Sequence, residues 1–240
     1  MQDRYTGDIG DYGKLGLLRR LRTAGFSIGV NWYRVPNETH NDDGKHIRYL
    51  EQGQYRECDE QLWYELRKIV ASGDRNVYRL QNDSVIQAVF FSDLLDDRKK
   101  KKQEREMVRQ KWHEAALTKL EKSDIVFLDP DNGLIVPSAV NTGRANKYVM
   151  PEEIADYYMQ GSSVIYYQHK ARRPDSYYVK QQNDLLQMPG FDGASGLGLK
   201  FTTTSHRYYF IIMQPKHRDV ITAQIESMLN MAWGAHFCSV

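Results

Sequence analysis

Apolar positions along this chain follow two rhythms, one suited to helices and one to strands. Leu15, Leu18 and Leu21 recur at threefold spacing while Arg19, Arg20 and Arg22 take other faces, so residues 12–24 read as a helix with Gly25 as its C-cap. Residues 27–35 are rich in β-formers and stop at Pro36, which makes them the first strand, followed by a polar loop over 37–45. A stripe of Leu62, Leu66, Ile69 and Val70 predicts a helix over 59–71, and residues 88–95 read as a second strand. From 98 to 122 the pattern is one long charged helix, with sparse apolar positions at Met107, Trp112, Ala116, Leu117 and Leu120. Its opening run of Lys99 to Lys102 lies where the helix dipole repels cations.

The sharpest signal comes next: Asp124-Ile125-Val126-Phe127-Leu128-Asp129-Pro130-Asp131-Asn132-Gly133. Its apolar run is too short for a helix and rich in β-formers, so it predicts a buried central strand that breaks abruptly into polar residues. After a loop over 135–147, Pro151 suits the first turn of a short helix. Residues 162–169 form another strand, 173–187 a helix, 199–204 and 207–214 an antiparallel pair, and 216–233 a final amphipathic helix. Strands alternating with helices and then a terminal hairpin predict an α/β fold. We expect a Rossmann-like mixed sheet with helices on both faces and an antiparallel C-terminal hairpin. It forms one domain over 1–240, with the charged helical segment at about 97–122.

Composition narrows the class. Hydrophobic residues make up 41% and charged residues 27% of the chain, which suits a soluble globular protein. Thirty-three basic against thirty-one acidic residues leave a charge of +2, too small for bulk electrostatics to imply a nucleic-acid binder, although a local basic patch is open. Cys58 and Cys238 lie far apart, which points to a reduced, cytoplasmic setting and excludes a zinc site built from cysteines. No leader-type apolar region opens the chain and no run approaches a membrane span, so no membrane association is expected.

Open α/β sheets bind ligands beyond the carboxyl ends of their strands, and polar clusters fall at such places. Asp129, Pro130, Asp131 and Asn132 follow the central strand, and His169 closes the next one, so these five are the candidate catalytic residues. Lys170, Arg172 and Arg173 beside His169 would suit phosphate or nucleic acid. Gly7, Asp8, Asp11 and Lys14 open the first helix, where acids serve as caps and anions as ligands. Past the first strand, His40, Asp43 and His46 could hold a divalent metal through imidazole and carboxylate, while Asn41-Asp42-Asp43-Gly44 is also ordinary turn chemistry.

The segment Tyr5-Thr6-Gly7-Asp8-Ile9-Gly10-Asp11-Tyr12-Gly13-Lys14 resembles the opening motif of bacterial adenine-N6 methyltransferases that modify 23S ribosomal RNA. Leu128-Asp129-Pro130 falls where that family runs from an apolar strand into Asp-Pro-Pro-Tyr, and later strands follow in order. The chain is also similar to a bacterial and phage family sharing Gly-Asp-Ile-Gly-Asp-Tyr, His-Asn-Asp-Asp-Gly and Leu-Asp-Pro-Asp-Asn-Gly. The first resemblance implies a methyltransferase-like fold. Gly7, Asp8, Asp11, Lys14 and His40 would border S-adenosylmethionine, and Asp129 and the Pro130 carbonyl would hold the reacting amine. Asp131 and Asn132 stand where the family has its second proline and its stacking aromatic, so stacking would come from elsewhere. After the first strand, Val35-Pro36-Asn37-Glu38-Thr39-His40 replaces the glycine-bearing turn that admits the cofactor.

Three functions follow as expectations. The first is a methyltransferase-like enzyme acting on nucleic acid or a nucleotide. The second is a metal-dependent phosphoesterase or nuclease using Mg²⁺ or Mn²⁺ on the same scaffold. The third is a non-catalytic nucleotide- or protein-binding factor of phage or defence type. A slot between Lys14 and Asp129 would suit a cofactor, and convergence of His40, Asp43, Asp129 and Asp8 would suit a metal.

Overall fold

Local chemistry sets where the elements begin. In the computed structural model, which describes residues 1–38, 44–82, 84–204 and 206–240, these are α1 (Ile9–Thr23), β1 (Ile28–Asn31), α2 (Gly53–Arg56), α3 (Glu60–Ala71), β2 (Val89–Phe91), α4 (Lys102–Leu120), β3 (Ile125–Leu128), β4 (Gly133–Leu134), β5 (Tyr148–Val149), α5 (Pro151–Met159), β6 (Ser163–His169), α6 (Asp175–Leu186), β7 (Ser195–Phe201), β8 (Arg207–Met213), α7 (Arg218–Leu229) and β9 (Phe237–Ser239). Helix α1 starts earlier than its leucine spacing suggests because Asp8 caps it, accepting from Gly10 N at 2.7 Å and Asp11 N at 3.1 Å. Such a cap is worth about 1 kcal/mol. Asp59 caps α3 in the same way, through Leu62 N. Helix α4 starts later than expected, at Lys102, because the preceding lysines neither cap it nor suit its positive end.

Seven strands form one sheet in the order β2-β1-β3-β6-β8-β7-β9. β2, β1, β3 and β6 run parallel, and β8 lies antiparallel between β6 and β7. The fold is therefore α/β with a mixed, Rossmann-like sheet, as the alternation of elements predicts. The terminal hairpin begins sooner than expected, since 195–198 are already strand. Gly196 sits against Leu186 and Gln182 of α6 and Gly198 against Phe210, where side chains would collide. β9, in the short segment that follows α7, pairs with β7 and was not expected.

Each face of the sheet has its own core. Leu15 and Leu18 of α1, Leu62 and Leu66 of α3 and Ile221 and Ile225 of α7 pack on one face with Phe127. Trp112 and Ala116 of α4, Ile154 and Tyr157 of α5 and Leu185 of α6 cover the other with Val126 and Leu128. β3 is thus buried on both sides, as a central parallel strand must be. Among the described residues, no helix is long and apolar enough to cross a membrane.

From β1 the chain moves outward to β2 and then returns to β3 on the opposite side of β1. The crevice between the carboxyl ends of β1 and β3 is therefore the topological switch point. The turn after β3 is clamped from β6. Gln168 Nε2 donates to Asn132 O at 3.1 Å, Gln168 Oε1 accepts from Leu134 N at 2.9 Å, and Asn132 N donates to Lys147 O at 2.9 Å. Gly133 permits this with φ +107°, and a Cβ there would stand 2.3 Å from Gln168 Oε1. Gly133→Ala is accordingly expected to cost at least about 2 kcal/mol in urea denaturation, from backbone strain plus overpacking. Gly25→Ala, with φ +95° but open space around it, should cost only about 1 kcal/mol.

Candidate functional site

The start of α1 and the turn after β3 meet in a polar cleft of about 430 Å³. Asp8, Asp11 and Lys14 line one side, Asp129 to Asn132 the floor, and His46, Tyr167, His169 and Arg207 the remaining wall, with Glu38 and Lys147 at the far end. β8 runs antiparallel, so its first residue, Arg207, reaches the same edge as the carboxyl ends of β3 and β6, opposite His169 in the ladder. Asp8, Asp11, Lys14, His46, Asp129, Pro130, Asp131, Asn132 and His169, all predicted from sequence, converge here.

Lys14 links the two halves. Its Nζ donates to Asp129 Oδ2 at 2.6 Å and stands 3.0 Å from Asp11 Oδ1, with all three side chains almost fully buried. Burial opposes the charge on Lys14, yet Asp129 and Asp11 override it and hold the ammonium above its usual range. For the two acids burial wins, raising both carboxyls although Lys14 pulls them down. Asp11 also accepts from Gly7 N at 2.8 Å, which is the role of Gly7: it braces the acid from outside the cleft. No slot separates Lys14 from Asp129.

Asp131 is engaged differently. The amino group of Met1 lies 2.9 Å from its Oδ1, and Gln2 Nε2 donates to its Oδ2 at 2.7 Å. Burial would raise this carboxyl, but the amino group holds it below its usual range. The same amino group donates to Tyr33 O at 2.9 Å and Asp129 O at 3.1 Å, so the first residues lie across the switch-point crevice. Beside them Trp32 and Tyr33 are fully buried, and Tyr33 adopts φ 44°, a conformation uncommon outside glycine. The strand therefore leaves the sheet at Asn31, four residues before its expected end, with Asn31 Oδ1 accepting from Tyr33 N at 3.0 Å.

Other predicted residues are not among those described in the cleft lining. His40 and Asp43, assigned to cofactor and metal, fall outside the described residues. Among the described residues, no three histidine, cysteine or acidic side chains converge as a metal-holding group. Lys170, Arg172 and Arg173 follow β6 beyond the cleft lining. Lys170 pairs with Asp175 at 2.9 Å and Arg173 lies over the Tyr177 ring at 5.5 Å. Sequence reasoning did not single out Tyr167, Arg207, Glu38 or Lys147. Arg207, only 5% exposed, lies so close to α1 that a Cβ on Gly10 would strike its guanidinium. The glycine at position 10 was the signal for that close approach.

Replacing Lys14 tests the electrostatics. Lys14→Met leaves Asp11 and Asp129 buried without their cation and should lower stability by about 3–5 kcal/mol at neutral pH. Burial raises both acids, so the folded protein holds their protons more tightly than the unfolded chain does. Stability from the protonated form is full below the ordinary carboxyl range and is lost as pH rises through the raised folded values. The deficit of Lys14→Met should therefore be smallest in acid and widen towards neutrality, as read by denaturation across pH.

No protein-family model matches this chain, and comparison with curated proteins finds no match.

Proposed function

We propose that the cleft recognises the amine-bearing base of a nucleotide or of a nucleic acid, on a methyltransferase-like scaffold whose S-adenosylmethionine position is filled by the chain itself. One observation carries the reading. Lys14 takes Asp129 Oδ2, while among the described residues Oδ1 and the neighbouring Pro130 carbonyl accept no hydrogen bond, and both residues line the cleft. Two adjacent acceptors of this kind suit an exocyclic amine, the role that the resemblance gives Asp129 and Pro130. Tyr167, half-buried on the cleft wall, supplies the aromatic face that Asp131 and Asn132 do not.

S-adenosylmethionine does not suit the first-strand turn. Trp32 and Tyr33 occupy the place of the expected glycine, and Met1 bridges Tyr33 and Asp129. A divalent ion gains little either. Asp11 and Asp129 share Lys14, Asp131 has the amino group of Met1, and Glu38 has Lys147 at 2.5 Å, so a cation would displace existing partners. Recognition of a nucleotide base without methyl transfer fits the contacts that Lys14, Asp129 and Asp131 make.

Calorimetric titration tests it. Adenosine and cytidine monophosphates should bind at least about tenfold more tightly than inosine and uridine monophosphates, which lack the amine. Asp129→Asn would keep its oxygen towards Lys14 and turn its amide nitrogen into the cleft, reversing that preference. Tyr167→Ala should weaken all four by about 1–3 kcal/mol. Equal affinity for the amine-bearing and amine-free nucleotides, or tight binding of S-adenosylmethionine alone, would overturn the proposal.

A further inference from the structure

Two devices commonly hold a phosphate: free amides at a helix N-terminus, and lysine or arginine side chains. The cleft has both, and internal carboxylates already occupy them. At the head of α1, Asp8 Oδ1 accepts from Gly10 N at 2.7 Å and Asp11 N at 3.1 Å, and Asp11 Oδ2 accepts from Gly7 N at 2.8 Å. Asp8 N donates to Tyr5 O at 2.9 Å and Ile9 N to His46 O at 3.0 Å, so the amides from Gly7 to Asp11 all have acceptors. The cations lining the cleft are engaged too. Lys14 stands 2.6 Å from Asp129 and 3.0 Å from Asp11, Lys147 stands 2.5 Å from Glu38, and the Met1 amino group lies 2.9 Å from Asp131. Arg207 is not free either. Residues 39–43, outside the described structure, include two aspartates and a histidine but no lysine or arginine.

A phosphate entering this cleft must take an amide or a cation away from a carboxylate that is almost fully buried. The displaced carboxylate would then keep its charge out of water without a partner, which cancels the gain. A sugar brings no such charge, and its hydroxyls donate to carboxylate oxygens, as ribose does to an acid in dinucleotide sites. We propose that the cleft takes an unphosphorylated nucleoside, and that the Asp8 carboxylate excludes phosphate by holding its place at the head of α1. The proposal rests on the base reading above and narrows its ligand from nucleotides and nucleic acids to nucleosides. A nucleoside monophosphate binds through its base alone, with the phosphate left in water. Asp8 is placed for this double role: it lines the cleft, keeps 8% of its surface exposed, and caps the helix at the same time.

The test uses the full chain and calorimetric titration with adenosine, adenosine monophosphate and inorganic pyrophosphate. The parent should bind adenosine at least as tightly as the monophosphate and give no saturable signal with pyrophosphate. Asp8→Gly keeps a residue suited to the N-cap and opens the Gly10 and Asp11 amides. It should raise affinity for the monophosphate, relative to adenosine, by about tenfold, and should bind pyrophosphate. A parent that binds pyrophosphate, or binds the monophosphate more than about twofold more tightly than adenosine, would overturn the proposal and leave the base reading in place. A folded Asp8→Gly protein that gains nothing for either phosphate probe would overturn it as well. If Asp8→Gly fails to fold, the comparison of adenosine with its monophosphate in the parent decides. Binding of neither adenosine nor its monophosphate would instead remove the base reading, and this proposal with it.

Discussion

A single buried ammonium ties together the two segments that line the cleft of this protein. Lys14 joins the first helix to the central strand across 115 residues of sequence, and it does so through charges taken almost fully out of water. Desolvating ions costs several kcal/mol each, so such a pair forms only with close geometry and further hydrogen bonds. Those bonds come from Gly7 to Asp11 and from α1's own opening amides to Asp8. Lys14 thereby fixes which oxygen of Asp129 is occupied and which faces the cleft. The bond that supports the fold at this point is also the one on which the proposed amine recognition depends.

The switch point of the sheet is occupied from within. Met1 spans the ends of β1 and β3, and Trp32 and Tyr33 fill the space beneath. The open cleft lies instead towards the start of α1, lined there by Asp8, Asp11, Lys14 and Asp129. In the proposed reading, Asp129 and the Pro130 carbonyl would be the acceptors for an amine in this cleft. Arg207, entering from an antiparallel strand, partly offsets the three acids at the α1 end.

Much of this was legible in the residues. The four-residue apolar run before Asp129 reads as a buried central strand, and its abrupt polar end falls at the cleft. Asp8 and Asp11 announced a helix start, although the leucine spacing alone placed that start at Tyr12. Tertiary contacts were less accessible. Nothing local to Asn31 shows that the strand stops there, because the reason is a bond to Tyr33 and a crossing segment from Met1. Arg207 reads as part of a turn until the antiparallel direction of β8 carries it to the cleft. Lys170, Arg172 and Arg173 formed the more conspicuous basic run, yet they follow β6 past the cleft, while isolated Lys147 lines it.

The central claim is that Asp129 faces a ligand amine while the first-strand turn admits no cofactor. The most direct measurement is the carbon-13 carboxyl shift of Asp129, followed with the amide shifts of residues 31–35 by nuclear magnetic resonance. Cytidine monophosphate and S-adenosylmethionine would be added in separate titrations. The account predicts that cytidine monophosphate moves the Asp129 carboxyl and the Tyr167 ring, and that S-adenosylmethionine leaves residues 31–35 unmoved. Saturable shifts at residues 31–35 with S-adenosylmethionine, and none at Asp129 with cytidine monophosphate, would contradict it.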